Sequence, residues 1–181
     1  MKKFLIILGV VVVLLLAAFL YLNNRNRTLS PSGNEALTNG KLTISLSYSR
    51  PSVRGRVVFG TKDQEALQPY GEYWRLGANE STEITFETDI LFKGKHVSRG
   101  TYRMYAIPGE STFKVGLNTQ IGEWGYFEPN YSLDVVTVDV PVLKDNFTEQ
   151  HTIKLIPQGE NGIDIIVSFE KVKLVIPIVP Q

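Results

Sequence analysis

Apolar and polar positions divide this chain into two parts with different periods. From Phe4 to Leu22 run 19 residues with no charge and no strong polar group. At about 1.5 Å of rise per residue, a helix of that length nearly matches a hydrocarbon core of about 30 Å. A helix is also the only single segment that satisfies its own backbone hydrogen bonds in lipid. The run predicts a transmembrane helix over 4–22, behind a short tail of residues 1–3, that serves as a signal anchor with the lipid bilayer as its partner. Lys2 and Lys3 precede it and Arg25 and Arg27 follow, a nearly even split that gives only a small bias toward a cytoplasmic N-terminus. The alternative is a cleaved signal peptide and a secreted domain, but Ala17-Ala18-Phe19-Leu20 has no A-x-A cleavage pattern and the apolar run is long. The anchor reading places the following domain in the periplasm or outside the cell.

Residues 23–40 are rich in Asn, Ser, Thr, Pro and Gly and read as a tether. From Lys41 the period changes to two. Ile44, Leu46 and Tyr48 alternate with polar neighbours, as do Ile84 and Phe86, Val136 to Val140, Ile153 and Leu155, and Ile163 to Phe169. Each run fits a strand with one wet face. Lys93-Gly94-Lys95 and Pro108-Gly109-Glu110 are turn signals, the first closing a hairpin. Strands every 8–12 residues or so, with no helical period between them, predict an all-β antiparallel β-sandwich over 41–176 and a C-terminal tail over 177–181.

Charge and composition exclude several classes. Setting aside Lys2, Lys3, Arg25, Arg27 and Glu35, the 19 basic and 18 acidic residues leave 15 and 17 beyond residue 40. That balance carries no nucleic-acid footprint. The chain has no cysteine, which removes disulfides, thiolate catalysis, Cys-ligated metals and the acylated Cys of a lipoprotein. His96 and His151 stand in no metal-ligand spacing, and His151 shares the parity of Ile153 and Leu155, so it reads as a core histidine. Neither a nucleophile elbow nor a phosphate-binding glycine loop is present. No metal and no cofactor is expected.

Three polar stretches remain as candidate chemistry. Arg50, Arg54 and Arg56 lie within seven residues and suit an anion-binding loop, although pairing with acids of the same domain is the plainer reading. Pro69 to Glu80 combines Trp74, Arg75, Asn79 and Glu80, a mixture that fits a pocket wall or a loop anchored by its aromatics. Trp124, Tyr126, Phe127 and Tyr131 either plug the end of the sandwich, the favoured expectation, or stack on a ligand.

Together, S-Y-S-R-P-S-V-R-G-R-x-x-F-G from Ser47, P-Y-G-E-Y-W-R-L-G-A-N-E from Pro69 and G-T-Y-R-M-Y-A-I-P from Gly100 resemble the bacterial family of domain of unknown function 2911, over about residues 41–175. The resemblance implies an exported, mostly-β domain of the bacterial cell envelope and no assigned activity. Ser98-Arg99-Gly100 stands where the family tends to have Pro-Ala-Gly, Thr137 where a basic residue is usual, and Phe169 where Trp is usual.

These readings leave three functions open. One is a binding module for a small anionic, peptide or glycan ligand held by Arg50, Arg54, Arg56, Trp74, Arg75, Asn79 and Glu80. A carboxylate hydrolase or lyase using Glu80 as catalytic residue, with Arg75 as electrostatic partner, is the second. The third is a structural component of an envelope complex. The site expectation is that Arg50, Arg54 or Arg56 approaches Glu80, with Trp74, Arg75 and Asn79 lining the same concavity.

Overall fold

The computed structural model describes residues 2–181. Helix α1 (Lys2–Leu29) has no buried residue, as a segment with an all-round apolar surface requires if its solvent is lipid. It is longer than the apolar run. Asn23 to Leu29 continue the helix and Ser32–Asn39 form a strand, so the tether expected over 23–40 is instead a helix end and an edge strand. Their polar residues are compatible with both, because a solvated helical turn and an edge strand need few apolar contacts. Lys2 and Lys3 of the expected tail are also helical, and Met1 lies outside the described residues.

Twelve strands follow: β1 (Ser32–Asn39), β2 (Leu42–Ser49), β3 (Phe59–Gly60), β4 (Gln68–Pro69), β5 (Thr82–Phe86), β6 (Ile90–Phe92), β7 (Lys95–Val97), β8 (Gly100–Ile107), β9 (Thr112–Asn118), β10 (Asp134–Pro141), β11 (Leu143–Gln158) and β12 (Gly162–Pro180). Six of them form one antiparallel sheet in the order β1-β2-β5-β8-β9-β10, and four form the facing sheet in the order β11-β12-β6-β7. The fold is an antiparallel β-sandwich. Lys93 and Gly94 both adopt positive φ at the tip of the β6–β7 hairpin, as a two-residue turn matched to strand twist demands. Of the residues expected at 177–181 to be a tail, 177–180 belong to β12, where Ile178 pairs with Phe92 and is buried.

The core fills the space between the inner faces. Ile44, Leu46, Ile84, Phe86, Val136, Val138, Ile153, Leu155, Ile165 and Val167 are all buried there, as the two-residue period demands. At one end the interlayer space holds an aromatic group. Trp74 lies parallel to Phe169 with ring centroids 6.4 Å apart and meets Phe59 at 5.1 Å and His151 at 5.2 Å edge to face. Backbone hydrogen bonds in both directions between Trp74 and Ala106 clip this loop onto β8.

Candidate functional site

The outward face of the six-stranded sheet carries one polar residue from each strand in a single row. Register pairs Asn34 with Ser47, Ser47 with Glu83, Glu83 with Arg103, Arg103 with Asn118 and Asn118 with Asp134. Alternation explains the placement: Tyr102, Met104 and Ala106 of β8 fill the core, so Arg103 and Tyr105 must point the other way. Even so, Arg103 and Asn118 are fully buried, because the loops 70–81 and 119–133 roof this part of the sheet.

Backbone hydrogen bonds hold that roof. Gly125 N–H donates to Asn79 O at 3.0 Å, Ser81 N–H to Glu123 O at 3.2 Å, and Gly122 N–H to the Glu83 carboxylate at 2.6 Å. Beneath it, the Tyr105 hydroxyl and the Asn118 amide donate to the two oxygens of Asp134 at 2.6 and 2.7 Å. The Tyr105 ring lies where a side chain at Gly116 would stand, so this strand position must be glycine for the ring to lie flat. Burial, then the bonded Asp134 carboxylate, pushes the Tyr105 phenol well above its ordinary range. Burial and the Glu128 carboxylate do the same to Tyr131.

Arg103 is the unusual member. Its Nη2 donates to the Tyr73 hydroxyl and the Phe127 carbonyl, and Tyr73 in turn donates to Gly125 O at 3.1 Å. Its Nη1 stands 3.7 Å from a Glu123 oxygen, an ion pair without a hydrogen bond. Nε and Nη1 are buried with no hydrogen-bond partner among the described residues. A buried guanidinium so weakly compensated is costly.

In front of Tyr73 lies an open cleft of about 710 Å³ lined by Tyr73, Arg75, Tyr126, Phe127, Glu128 and Tyr131, among others. Among the described residues Arg75 bonds only the Asn79 carbonyl, at 3.2 Å, and its guanidinium sits 5.7 Å from the Tyr126 ring centre. Burial holds its pKa below the usual arginine range, and the like charge of Arg103 acts in the same direction. Tyr126 and Phe127 are each 67% exposed and Trp124 43%. These aromatics therefore do not plug the sandwich as expected.

The predicted cluster is divided among four places. Trp74 is 2% exposed and packed in the core, and it also lines the pocket that holds Arg54, Arg56 and Asn79. Arg75 belongs to the cleft. Arg54, Arg56 and Asn79 join Asn26, Leu29 and Ser30 around a smaller pocket of about 280 Å³. Arg50 lies apart, beside Thr152 and Lys173 on the outward face of the four-stranded sheet. Glu80 bonds Arg27 at 2.6 Å, so the expected contact between Glu80 and Arg50, Arg54 or Arg56 is replaced.

Helix α1 is the reason for that replacement. Its last carbonyls lack partners within the helix and carry partial negative charge. Arg54 donates to Leu29 O at 3.0 Å, Asn79 to Ser30 O at 3.3 Å, and Arg50 N–H to Pro31 O at 2.8 Å. Arg56 turns back on Val53 O and Ser52 O. Two of the loops read as a ligand site thus seat the helix end. The Arg27–Glu80 pair is half exposed on both sides, so Glu80→Gln should change stability by less than about 1 kcal/mol in a chemical denaturation series. A larger loss would mean that the pair holds the junction by itself.

Arg103 and Tyr105 are site residues that the sequence reading misses, although both stand in the G-T-Y-R-M-Y stretch. The available signal is parity: an Arg and a Tyr alternate there with Tyr102, Met104 and Ala106, at positions a solvated face would fill with small polar residues.

Sandwich, roofed outer face and exposed apolar helix define the class of molecule: a β-domain carried behind a hydrophobic N-terminal segment. The chain belongs to the family described as protein of unknown function (DUF2911), whose model matches residues 30–178. That match begins where α1 ends and includes β1, which extends the domain beyond the 41–175 expected from the motifs. No curated protein and no solved structure matches the chain.

Proposed function

We propose that this protein is a membrane-anchored extracytoplasmic binding module that takes a small ring-bearing envelope fragment in the cleft between the 67–75 and 126–131 loops. The carrying observation is the cleft itself, at about 710 Å³, with Tyr73, Tyr126, Phe127 and Tyr131 as ring-shaped walls and one half-buried guanidinium, Arg75. Its volume is that of a small-molecule site, and exposed aromatic faces stack on flat or ring-shaped partners at small entropic cost. Retention of α1 as an anchor is supported by its length and by the fastening of its end to the domain through Arg54, Asn79 and Glu80. Glu80, ion-paired and outside the cleft lining, gives no support to a carboxylate hydrolase or lyase.

A thermal-shift screen of the full chain in neutral detergent against sugars, peptidoglycan fragments and small aromatic acids tests the reading. A ligand that binds only the native state raises the melting temperature by mass action. The expected result is at least one hit whose shift falls by most of its size in Tyr126→Ala. Hits indifferent to Tyr126→Ala and Phe127→Ala, or no hit at millimolar concentration, would reject the cleft as the site.

A further inference from the structure

We infer that Arg75 and Arg103 form an oxyanion subsite at the base of this cleft, that the ligand carries a carboxylate or phosphate group to fill it, and that the Glu123 side chain holds the place until it does. The inference rests on the binding reading above and specifies the chemistry of its ligand.

Two cationic groups within electrostatic reach of each other are withdrawn from water here. Among the described residues Arg103 is fully buried with Nε and Nη1 unbonded, and Arg75 has a single carbonyl as partner. The surrounding carboxylates are engaged elsewhere. Asp134 accepts from Tyr105 and Asn118, Glu83 from Gly122, and Glu128 from Tyr131. Glu123 alone approaches Arg103, yet it stays beyond hydrogen-bond distance, accepts from Gln120 at 2.8 Å and is nearly half exposed. A guanidinium gains most from short, charge-assisted hydrogen bonds to an oxyanion, and this one lacks them. The covering segment suits exchange of Glu123 for a ligand oxyanion. Both residues that bond Arg103 Nη2, Tyr73 and Phe127, also line the cleft, so the buried guanidinium is one layer behind the cleft wall. Gly122, Glu123 and Gly125 keep their backbone hydrogen bonds to Glu83, Ser81 and Asn79 in that exchange, because only the nearly half-exposed Glu123 side chain has to swing out.

The test is a titration of the full chain in neutral detergent with inorganic phosphate, and separately with benzoate, against sodium chloride at matched ionic strength, followed by melting temperature. Both oxyanions should raise the melting temperature saturably where chloride does not. Apparent affinity should fall at least ten-fold in Arg75→Gln and in Arg103→Met, and rise several-fold in Glu123→Gln, because the internal competitor is gone. The opposite sign of the Glu123 variant separates an oxyanion site from a structural ion pair, whose loss would only lower stability. If Arg103→Met does not fold, Arg75→Gln and Glu123→Gln decide between the two. Equal responses to phosphate, benzoate and chloride, or titrations unchanged in Arg75→Gln and Glu123→Gln, would overturn the inference. Should neutral sugars still bind in a Tyr126-dependent way in that case, the cleft reading stands and only its oxyanion subsite falls.

Discussion

Trp74→Ala is expected to lower the unfolding free energy by about 3–5 kcal/mol, the largest effect of any single substitution in the 70–80 loop. The indole is 2% exposed and packs between Phe59, Phe113, Phe169 and His151. Its removal leaves a cavity between two sheets whose other side chains are already fixed by strand register, so little collapse is available to fill it. The backbone clip to Ala106 would survive, which confines the loss to packing. Equilibrium denaturation of the full chain, with Trp74→Phe as the milder control, measures the loss. A value below about 1 kcal/mol together with altered ligand response would show that Trp74 acts chiefly as a wall of the pocket it shares with Arg54 and Asn79.

The second large effect is a loss of stability in acid that depends on His151. The imidazole is fully buried beside Tyr48, Trp74 and Phe169, and its Nε2–H donates to Leu76 O at 2.8 Å while Nδ1 has no partner among the described residues. Burial lowers its pKa from 6.5 to about 4, with the Arg50 charge acting in the same direction. The unfolded chain therefore takes up a proton at a pH where the folded chain does not. The stability contributed by the neutral ring is whole above pH 6.5 and is lost as pH falls from there to about 4. At about 1.4 kcal/mol for each pKa unit, the loss is on the order of 3 kcal/mol. Carboxylates titrate in part of the same range, so the diagnostic quantity is the difference between the wild-type chain and His151→Phe. That difference should shrink steadily from pH 7 to pH 4, and a pH-independent difference would show that His151 is charged or hydrated in the folded state.

Much of the fold is legible in the sequence because burial imposes a period. Ile44, Ile84, Val136, Ile153 and Ile165 all fall on the inner faces, since a one-residue slip would have put every one of them in water. Between residues 23 and 40 the same logic has nothing to work on. Ser32–Asn39 is an edge strand with no fully buried residue, and its identity as a strand comes from hairpin pairing with Leu42–Ser49, which its own polar composition does not carry. The candidate site is legible in its residue types and not in its grouping. Arg54 and Glu80 do need partners, as their charge requires, but those partners are the last carbonyl and the last arginine of α1, in a segment whose composition suggests only a tether.

By itself the sequence determined the apolar helix, the strand parity, the β-sandwich and the family, because each depends on short-range periodicity or on contiguous motifs. Tertiary structure decided where the chemistry lies. Arg103 is separated by about 30 residues from Tyr73 and by about 20 from Glu123 and Phe127, and only strand order places the three around one guanidinium. Parity makes Arg103 and Tyr105 conspicuous on the outer face but does not say which loop roofs them, since alternation reports only that a side chain points away from the core. Burial on the outer face depends on which loop folds over it, and that is set by contacts between segments far apart in the chain.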